Sequence, residues 1–214
     1  TGEYENTPHK VLYDAHRPGS SVKGATVLAG LQSGVITPGQ VFHDSPIQIA
    51  QTRKGSYRPL GSVNDISALK LSSNVYMFYI GLRLGGEYRY PFPNGSSATF
   101  NKEGVQTMRN YFNQFGLGIG TGVDFPFEST GYVGPADRPG NLMDLGIGQF
   151  DTYTTLQLGQ YISTIANDGY RVQPRFVKEI RNPSNENELG SVDQVIHPKV
   201  LNKIEMNQSY IERV

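Results

Sequence analysis

From Ser20 to Ile36 the chain is a run of small and apolar residues broken by a single charge, Lys23. Val22, Ala25, Thr26, Leu28, Ala29 and Leu31 suit a buried helix, predicted over residues 20–33 and stopped near Gly34. Ser20 and Lys23, three apart, then share one face of its first turn. A lysine held among apolar groups loses solvation of its charged form, so its pKa falls. A neutral amine beside a hydroxyl is a base beside a nucleophile. The Pro18-Gly19 lead-in lets the backbone turn sharply and leaves the Ser20 amide at a helix N-terminus, where a developing anion is favoured. The plainer alternative makes Ser20 an N-cap and lets Lys23 reach water.

Composition narrows the function. The 19 basic and 19 acidic residues cancel, which argues against a broad electrostatic footprint for nucleic acid. With no cysteine there is no disulfide framework, thiolate metal site or thiol chemistry. His9, His16, His43 and His197 are far apart and show no ligand spacing, so neither a metal nor another cofactor is expected. No apolar run approaches the ~18 residues of a membrane span. The longest, Val75–Leu82, reads as a core helix, and Thr1 opens no secretory leader.

Along the chain, residues 1–17 are polar and irregular, and 34–63 read as loops with a short hairpin near Ile47–Ala50. Arg53, Lys54 and Arg58 read as a basic cluster on an exposed loop. Asn64 or Asp65 can cap a short helix through Lys70; Ser72-Ser73-Asn74 interrupts it, and helix resumes over Val75–Leu84 until Gly85-Gly86. Residues 87–102 are a loop. Glu103–Phe115 is amphipathic, with Val105, Met108, Phe112 and Phe115 on one face. Leu117–Asn141 reads as loop. Thr155–Ala166 is predicted helical with Leu158, Tyr161, Ile162 and Ile165 inward, all packing in one core with residues 20–33. Tyr170–Ile180 reads as extended, the stretch from Asn182 as a solvated loop, and Asn207 as the cap of a helix with Tyr210, Ile211 and Val214 on its apolar face.

Ser72-Ser73-Asn74 follows Ser20 by 52 positions and sits at a break between helices, a place that exposes a hydroxyl and an amide together. The alternative is that Ser73 caps the second helix and Asn74 starts it. Together with their flanks, Pro18-Gly19-Ser20-Ser21-Val22-Lys23-Gly24-Ala25-Thr26 and Ser72-Ser73-Asn74-Val75-Tyr76-Met77 resemble the class B penicillin-binding proteins of Gram-positive type, the serine D,D-transpeptidases that cross-link peptidoglycan. Phe115-Gly116-Leu117-Gly118, Thr121–Pro126, Glu128–Gly131, Gly146-Ile147-Gly148-Gln149-Phe150, Gln157-Leu158 and Ile165–Gly169 extend the likeness, in order, from about Tyr13 to the end.

The resemblance implies an α+β fold of the penicillin-binding protein and serine β-lactamase type, here mainly its helical subdomain with an incomplete sheet. It implies that Ser20 attacks the penultimate D-alanine carbonyl of a stem peptide and that Lys23, within hydrogen-bond reach, takes its proton. Ser72 would relay that proton to the leaving D-alanine, Asn74 would hold Lys23 and the substrate amide, and the Ser20 N–H would give half of an oxyanion hole. β-Lactam antibiotics would acylate Ser20. Stem peptides and wall-synthesis proteins would be the partners, at the outer face of a membrane held by an N-terminal anchor absent from this chain.

The family's third motif, Lys-Thr-Gly or Lys-Ser-Gly, is missing from the 214 residues. Residues 1–214 are therefore expected to be a partial transpeptidase domain, catalytically incomplete alone, with that strand and the first sheet strands outside the chain. A β-lactam sensor domain and a non-catalytic scaffold of a wall-synthesis complex are the other readings. A serine β-lactamase shares the first two motifs, but no Glu-x-x-Leu-Asn element is present to activate a deacylating water.

Overall fold

The computed structural model describes residues 10–185 and 188–214. His9, the rest of the polar lead-in through residue 9, and residues 186–187 of the acidic loop lie outside the described residues.

A short helix α1 (Lys10–Tyr13) and β1 (Ala15–His16) lead into a 3₁₀ turn over Gly19–Val22, which passes into α2 (Lys23–Gln32). The predicted helix is thus present, but its first turn is tightened to 3₁₀, as helix ends often are. Next come β2 (Phe42–Asp44), β3 (Ile47–Ile49), β4 (Thr52–Lys54) and β5 (Gly61–Val63), then α3 (Asp65–Lys70), α4 (Asn74–Leu84) and α5 (Glu103–Gln114). The second half holds α6 (Pro139–Gly146), β6 (Tyr153–Thr154), α7 (Thr155–Ala166), β7 (Tyr170–Val172), β8 (Glu179–Arg181), β9 (Val192–Val195), β10 (Val200–Lys203) and α8 (Gln208–Ile211). Among the described residues the strands form five antiparallel pairs, β1 with β6, β2 with β5, β3 with β4, β7 with β10 and β8 with β9. The architecture is α+β: helices form the core, and the strand pairs flank it.

The sequence explains most helix boundaries. Asn64 and Ser67 form a reciprocal capping box at α3. Ser73 accepts from the Tyr76 N–H to cap α4, and Thr154 with Gln157 makes a second capping box at α7. Ser20 is not an N-cap; neither the 3₁₀ turn nor α2 has a side-chain cap. Residues 34–63 hold two strand pairs rather than one hairpin. Helix α6 was hidden in a segment that reads as loop to Asn141: Pro139 looks like a breaker but stands at the first helical position, where its missing N–H costs nothing.

Helix α2 lies between two packed clusters. Val27 and Leu31 join α4, Phe42 and Val63 on one side. Ala25 and Leu28 join Val105, Met108 and Phe112 of α5, Leu142 and Leu145 of α6, and Tyr161 of α7 on the other. Helices 20–33, 103–115 and 155–166 do therefore share one core. Ile162, expected inside, is 53% exposed. The buried face of α7 carries Gln157, Gln160, Tyr161 and Thr164 instead. Gln157 Nε2 donates to the carbonyls of Ile119 (2.8 Å) and Thr130 (3.1 Å), and Gln160 Nε2 to those of Thr121 and Val172 (3.0 Å each). These amides satisfy carbonyls of the long loop that packs over α7 and of β7, which apolar side chains could not do.

The loop after α6 braces the start of α2. The Gly19 N–H donates to the Gly148 carbonyl at 2.9 Å. Gly148 has φ +70°, and a Cβ there would lie 2.2 Å from the Gly19 carbonyl oxygen and 2.7 Å from its nitrogen. A Gly148→Ala substitution is expected to cost roughly 2–5 kcal/mol, from the left-handed backbone and the clash together. Urea denaturation of the two proteins measures it, and an unchanged midpoint would contradict this packing.

Candidate active site

Four side chains from two helix starts meet at one corner. Lys23, the first residue of α2, is 2% exposed. Its Nζ donates to the Ser72 carbonyl (2.8 Å), to Ser72 Oγ (3.0 Å) and to Asn74 Oδ1 (2.7 Å). Three acceptors match the three hydrogens of an ammonium. The Asn74 amide is oriented from its other end, where Nδ2 donates to the Gly55 carbonyl at 3.3 Å. Lys23 does not reach water, so the alternative of an extended lysine fails.

Ser20 is exposed, about one turn before Lys23. The expected direct bond from Lys23 to Ser20 is not formed. Ser72 stands between them, its Oγ donating to Ser20 Oγ at 3.1 Å. Ser72 and Asn74 take all three Lys23 hydrogens, which leaves none for Ser20. The result is a continuous row of polar atoms: Ser20 Oγ, Ser72 Oγ, Lys23 Nζ, Asn74 Oδ1.

Ser72 can face two ways because of its backbone. With φ +55° it sits in the left-handed region, which turns both its carbonyl and its Oγ toward Lys23. For a residue with a Cβ this conformation is strained.

Burial lowers the Lys23 pKa from 10.5 to about 8, opposed by the negative charge of Asp44. Below pH 8 the amine is protonated in the folded and unfolded states alike, and the burial cost is felt in full. The cost is relieved as pH rises from about 8 toward 10.5, where only the unfolded chain still binds the proton.

A pocket of about 380 Å³ opens over Ser20, Lys23 and Ser72, with Leu69 of α3 and Ile162 and Ile165 of α7 along its walls. The outward position of Ile162 therefore has a use: it lines this pocket. Beneath the corner lies Asp44, 1% exposed, which accepts from Ser73 Oγ at 2.5 Å and Ser56 Oγ at 2.7 Å. Sequence reasoning missed Asp44 and Ser56. A period-two pattern holds the available signal, since it puts Asp44 on the same face of β2 as buried Phe42. Lys54, expected on an exposed loop with Arg53 and Arg58, is half-buried and paired with Asp144 at 2.6 Å; Arg53 and Arg58 are exposed. Among the described residues no group of three His, Asp or Glu converges as metal ligands would.

Strain at Ser72 is open to direct test. Ser72→Gly and Ser72→Ala both remove the hydroxyl, but only glycine escapes the left-handed penalty. The glycine variant is expected to be the more stable by about 1–2 kcal/mol in denaturant titrations. Equal stabilities would mean that the backbone is not strained there.

The description "Penicillin binding protein transpeptidase domain" matches residues 4–214. Penicillin-binding protein 2A of Bacillus subtilis (strain 168) is 49% identical over 208 residues, which are 95% of this chain and 28% of that protein. Penicillin-binding protein 2B of Streptococcus pneumoniae (strain D39) is 36% identical over 215 residues, 98% of this chain and 31% of that protein. The solved structure of penicillin-binding protein 2B from Streptococcus pneumoniae (strain 5204) superposes with a TM-score of 0.88 at 32% identity, covering 100% of this chain and 36% of that one. The chain thus spans between 28% and 36% of the length of these relatives.

Proposed function

The chain belongs to the penicillin-binding-protein transpeptidase family, and from that premise we propose that it carries the serine acyl-transfer site of a peptidoglycan D,D-transpeptidase. The observation that supports this most is the unbroken row from exposed Ser20 Oγ through Ser72 Oγ to buried Lys23 Nζ. With Lys23 neutral, the two hydroxyls turn over: Ser20 donates to Ser72, and Ser72 donates to the Nζ lone pair. Ser20 Oγ then attacks the penultimate D-alanine carbonyl of a stem peptide while its proton passes through Ser72 to Lys23. When the tetrahedral intermediate collapses, the proton returns by way of Ser72 to the leaving D-alanine amine, and an ester on Ser20 remains. The amine of a second stem peptide attacks that ester, completes the cross-link and frees Ser20. A β-lactam ring opened by Ser20 has no departing amine, so its acyl-enzyme persists.

In this reading the Ser20 N–H, in the first turn of the 3₁₀ segment, gives one oxyanion donor. Asn74 fixes Lys23 and takes the substrate amide. No Lys-Thr-Gly or Lys-Ser-Gly occurs in the sequence, so the roles that the family gives to that strand fall to no residue here. The proposed setting is the outer face of a cell membrane, where stem peptides are found.

Mass spectrometry of the parent protein, of which residues 1–214 are expected to be a part, tests the reading after incubation with penicillin. One adduct, on the peptide containing Ser20, is expected, stable over hours and lost in Ser20→Ala. An adduct elsewhere, or none, would sink the assignment, and rapid release would point to a β-lactamase. Lys23→Met is expected to slow acylation by roughly 10²–10⁴-fold.

The base role also sets a pH dependence. Because Lys23 acts only when neutral, the second-order acylation rate of the parent is expected to climb as pH rises through about 8. A rate that is flat between pH 6 and 10 would remove Lys23 as the base.

A further inference from the structure

Asp44 is a buried carboxylate that the proposed reaction does not use. Its Oδ2 accepts two serine hydroxyls, Ser73 at 2.5 Å and Ser56 at 2.7 Å, while its Oδ1 is buried with no hydrogen-bond partner among the described residues. Leaving one oxygen of a buried carboxylate unpaired is costly, which makes the placement hard to explain by packing alone. Both serines, having given their hydrogens to Asp44, turn lone pairs toward the start of α4. Ser56 Oγ accepts from the N–H of Asn74 (2.9 Å) and of Val75 (3.3 Å), and Ser73 Oγ accepts from the N–H of Tyr76 (3.0 Å). Three of the helix's free N–H groups are therefore held by hydroxyls that one carboxylate orients. The same negative charge sits at the positive end of the α4 dipole and acts on the Lys23 ammonium.

We propose that Asp44 is a positioning residue for the acyl-transfer site: through Ser73 and Ser56 it fixes the corner where Ser72 and Asn74 meet Lys23, and it supplies the counter-charge beneath that amine. The inference rests on the reading of Lys23 as the base. The other charges on elements around α2 are engaged elsewhere or face water. Asp65 of α3 pairs with Arg213 after α8, Arg83 of α4 donates to the Val35 carbonyl, Arg109 of α5 pairs with Asp151, and Lys54 of β4 pairs with Asp144 of α6. Lys70, Glu103 and Glu212 are exposed. Tyr161 of α7 is neutral, its pKa raised to about 12 by burial, and its hydroxyl accepts from the Ala25 N–H.

Asp44→Asn separates the charge from the shape, because an amide oxygen still accepts the serine hydroxyls. Two readouts are taken on the parent and on this variant: the titration of Lys23, followed by ¹³C NMR of labelled lysine and assigned by its loss in Lys23→Met, and the acylation rate with a fluorescent penicillin across pH. In Asp44→Asn the Lys23 titration is expected to move to lower pH. The rise of the acylation rate with pH is expected to be displaced the same way. Ser56→Ala keeps the charge but drops one hydroxyl, so it is expected to slow acylation with the Lys23 titration in place. It serves if Asp44→Asn does not fold. A folded Asp44→Asn whose titration and rate match the parent overturns the proposal, as does Ser56→Ala at the parent's rate. If the parent itself is not acylated at Ser20, the proposed function fails, while the Lys23 titration still decides the part played by Asp44.

Discussion

An ammonium taken out of water has to find acceptors for every hydrogen, and this requirement organises the corner around Lys23. The side chain cannot retreat to solvent, because α2 is enclosed by apolar clusters on two sides. Its three acceptors come from a three-residue stretch, Ser72 to Asn74, so the break between α3 and α4 has to be held at one place and in one conformation. A buried cation missing one partner would cost far more than the hydrogen bond itself is worth. The positions of α2 and α4 relative to each other, and the left-handed turn at Ser72, follow from that demand.

The rest of the chain keeps the corner in place with little regular sheet. Five short strand pairs cannot by themselves align two helices, and the long segments between elements need their backbone groups satisfied. Polar side chains turned inward do this work. Gln157 and Gln160 tie the loop over 119–130 to α7, and the Arg109 and Asp151 pair ties α5 to the segment before β6. Tyr161 reaches the first turn of α2, where its hydroxyl takes the Ala25 N–H. An α7 with a purely apolar inner face would bury as much surface and leave those carbonyls and that N–H without partners.

The sequence was most legible where one physical rule dominates. The lone charge in an apolar run foretold a buried lysine, and spacing with flanks linked Ser20 and Lys23 to the Ser72-Asn74 corner. Capping chemistry marked α3 well, and apolar residues marked α5 and α7. Errors arose where a residue type has two uses. Pro139 begins a helix but reads as a stop. Ile162 fits the helical period but faces the pocket. Gln160 lies outside the predicted apolar face but is buried to serve carbonyls. Lys54 belongs to a basic cluster in sequence yet is neutralised by Asp144, 90 positions away. Asp44 and Ser56 were missed for a related reason: the period of β2 marks Asp44 as buried, but the importance of both lies in a relay of hydrogen bonds to the start of α4, which no local pattern encodes.

The departures from local rules are not scattered through the molecule. A cation buried in an apolar helix, a serine in the left-handed region and a carboxylate oxygen with no partner among the described residues all fall within one corner. Each is unfavourable alone, and each conditions the next. The strained turn at Ser72 is what presents two acceptors to Lys23; the serine pair that fixes the start of α4 keeps that turn from relaxing; and Asp44, by orienting those serines, places a negative charge where it moderates the burial of the amine. Relaxing any one of them on grounds of stability would detach Lys23 from Ser72 and open the row that leads to Ser20. Such clustering of unfavourable choices is expected at a site selected for reactivity, and the well-packed helices on either side of α2 supply the stability that holds it.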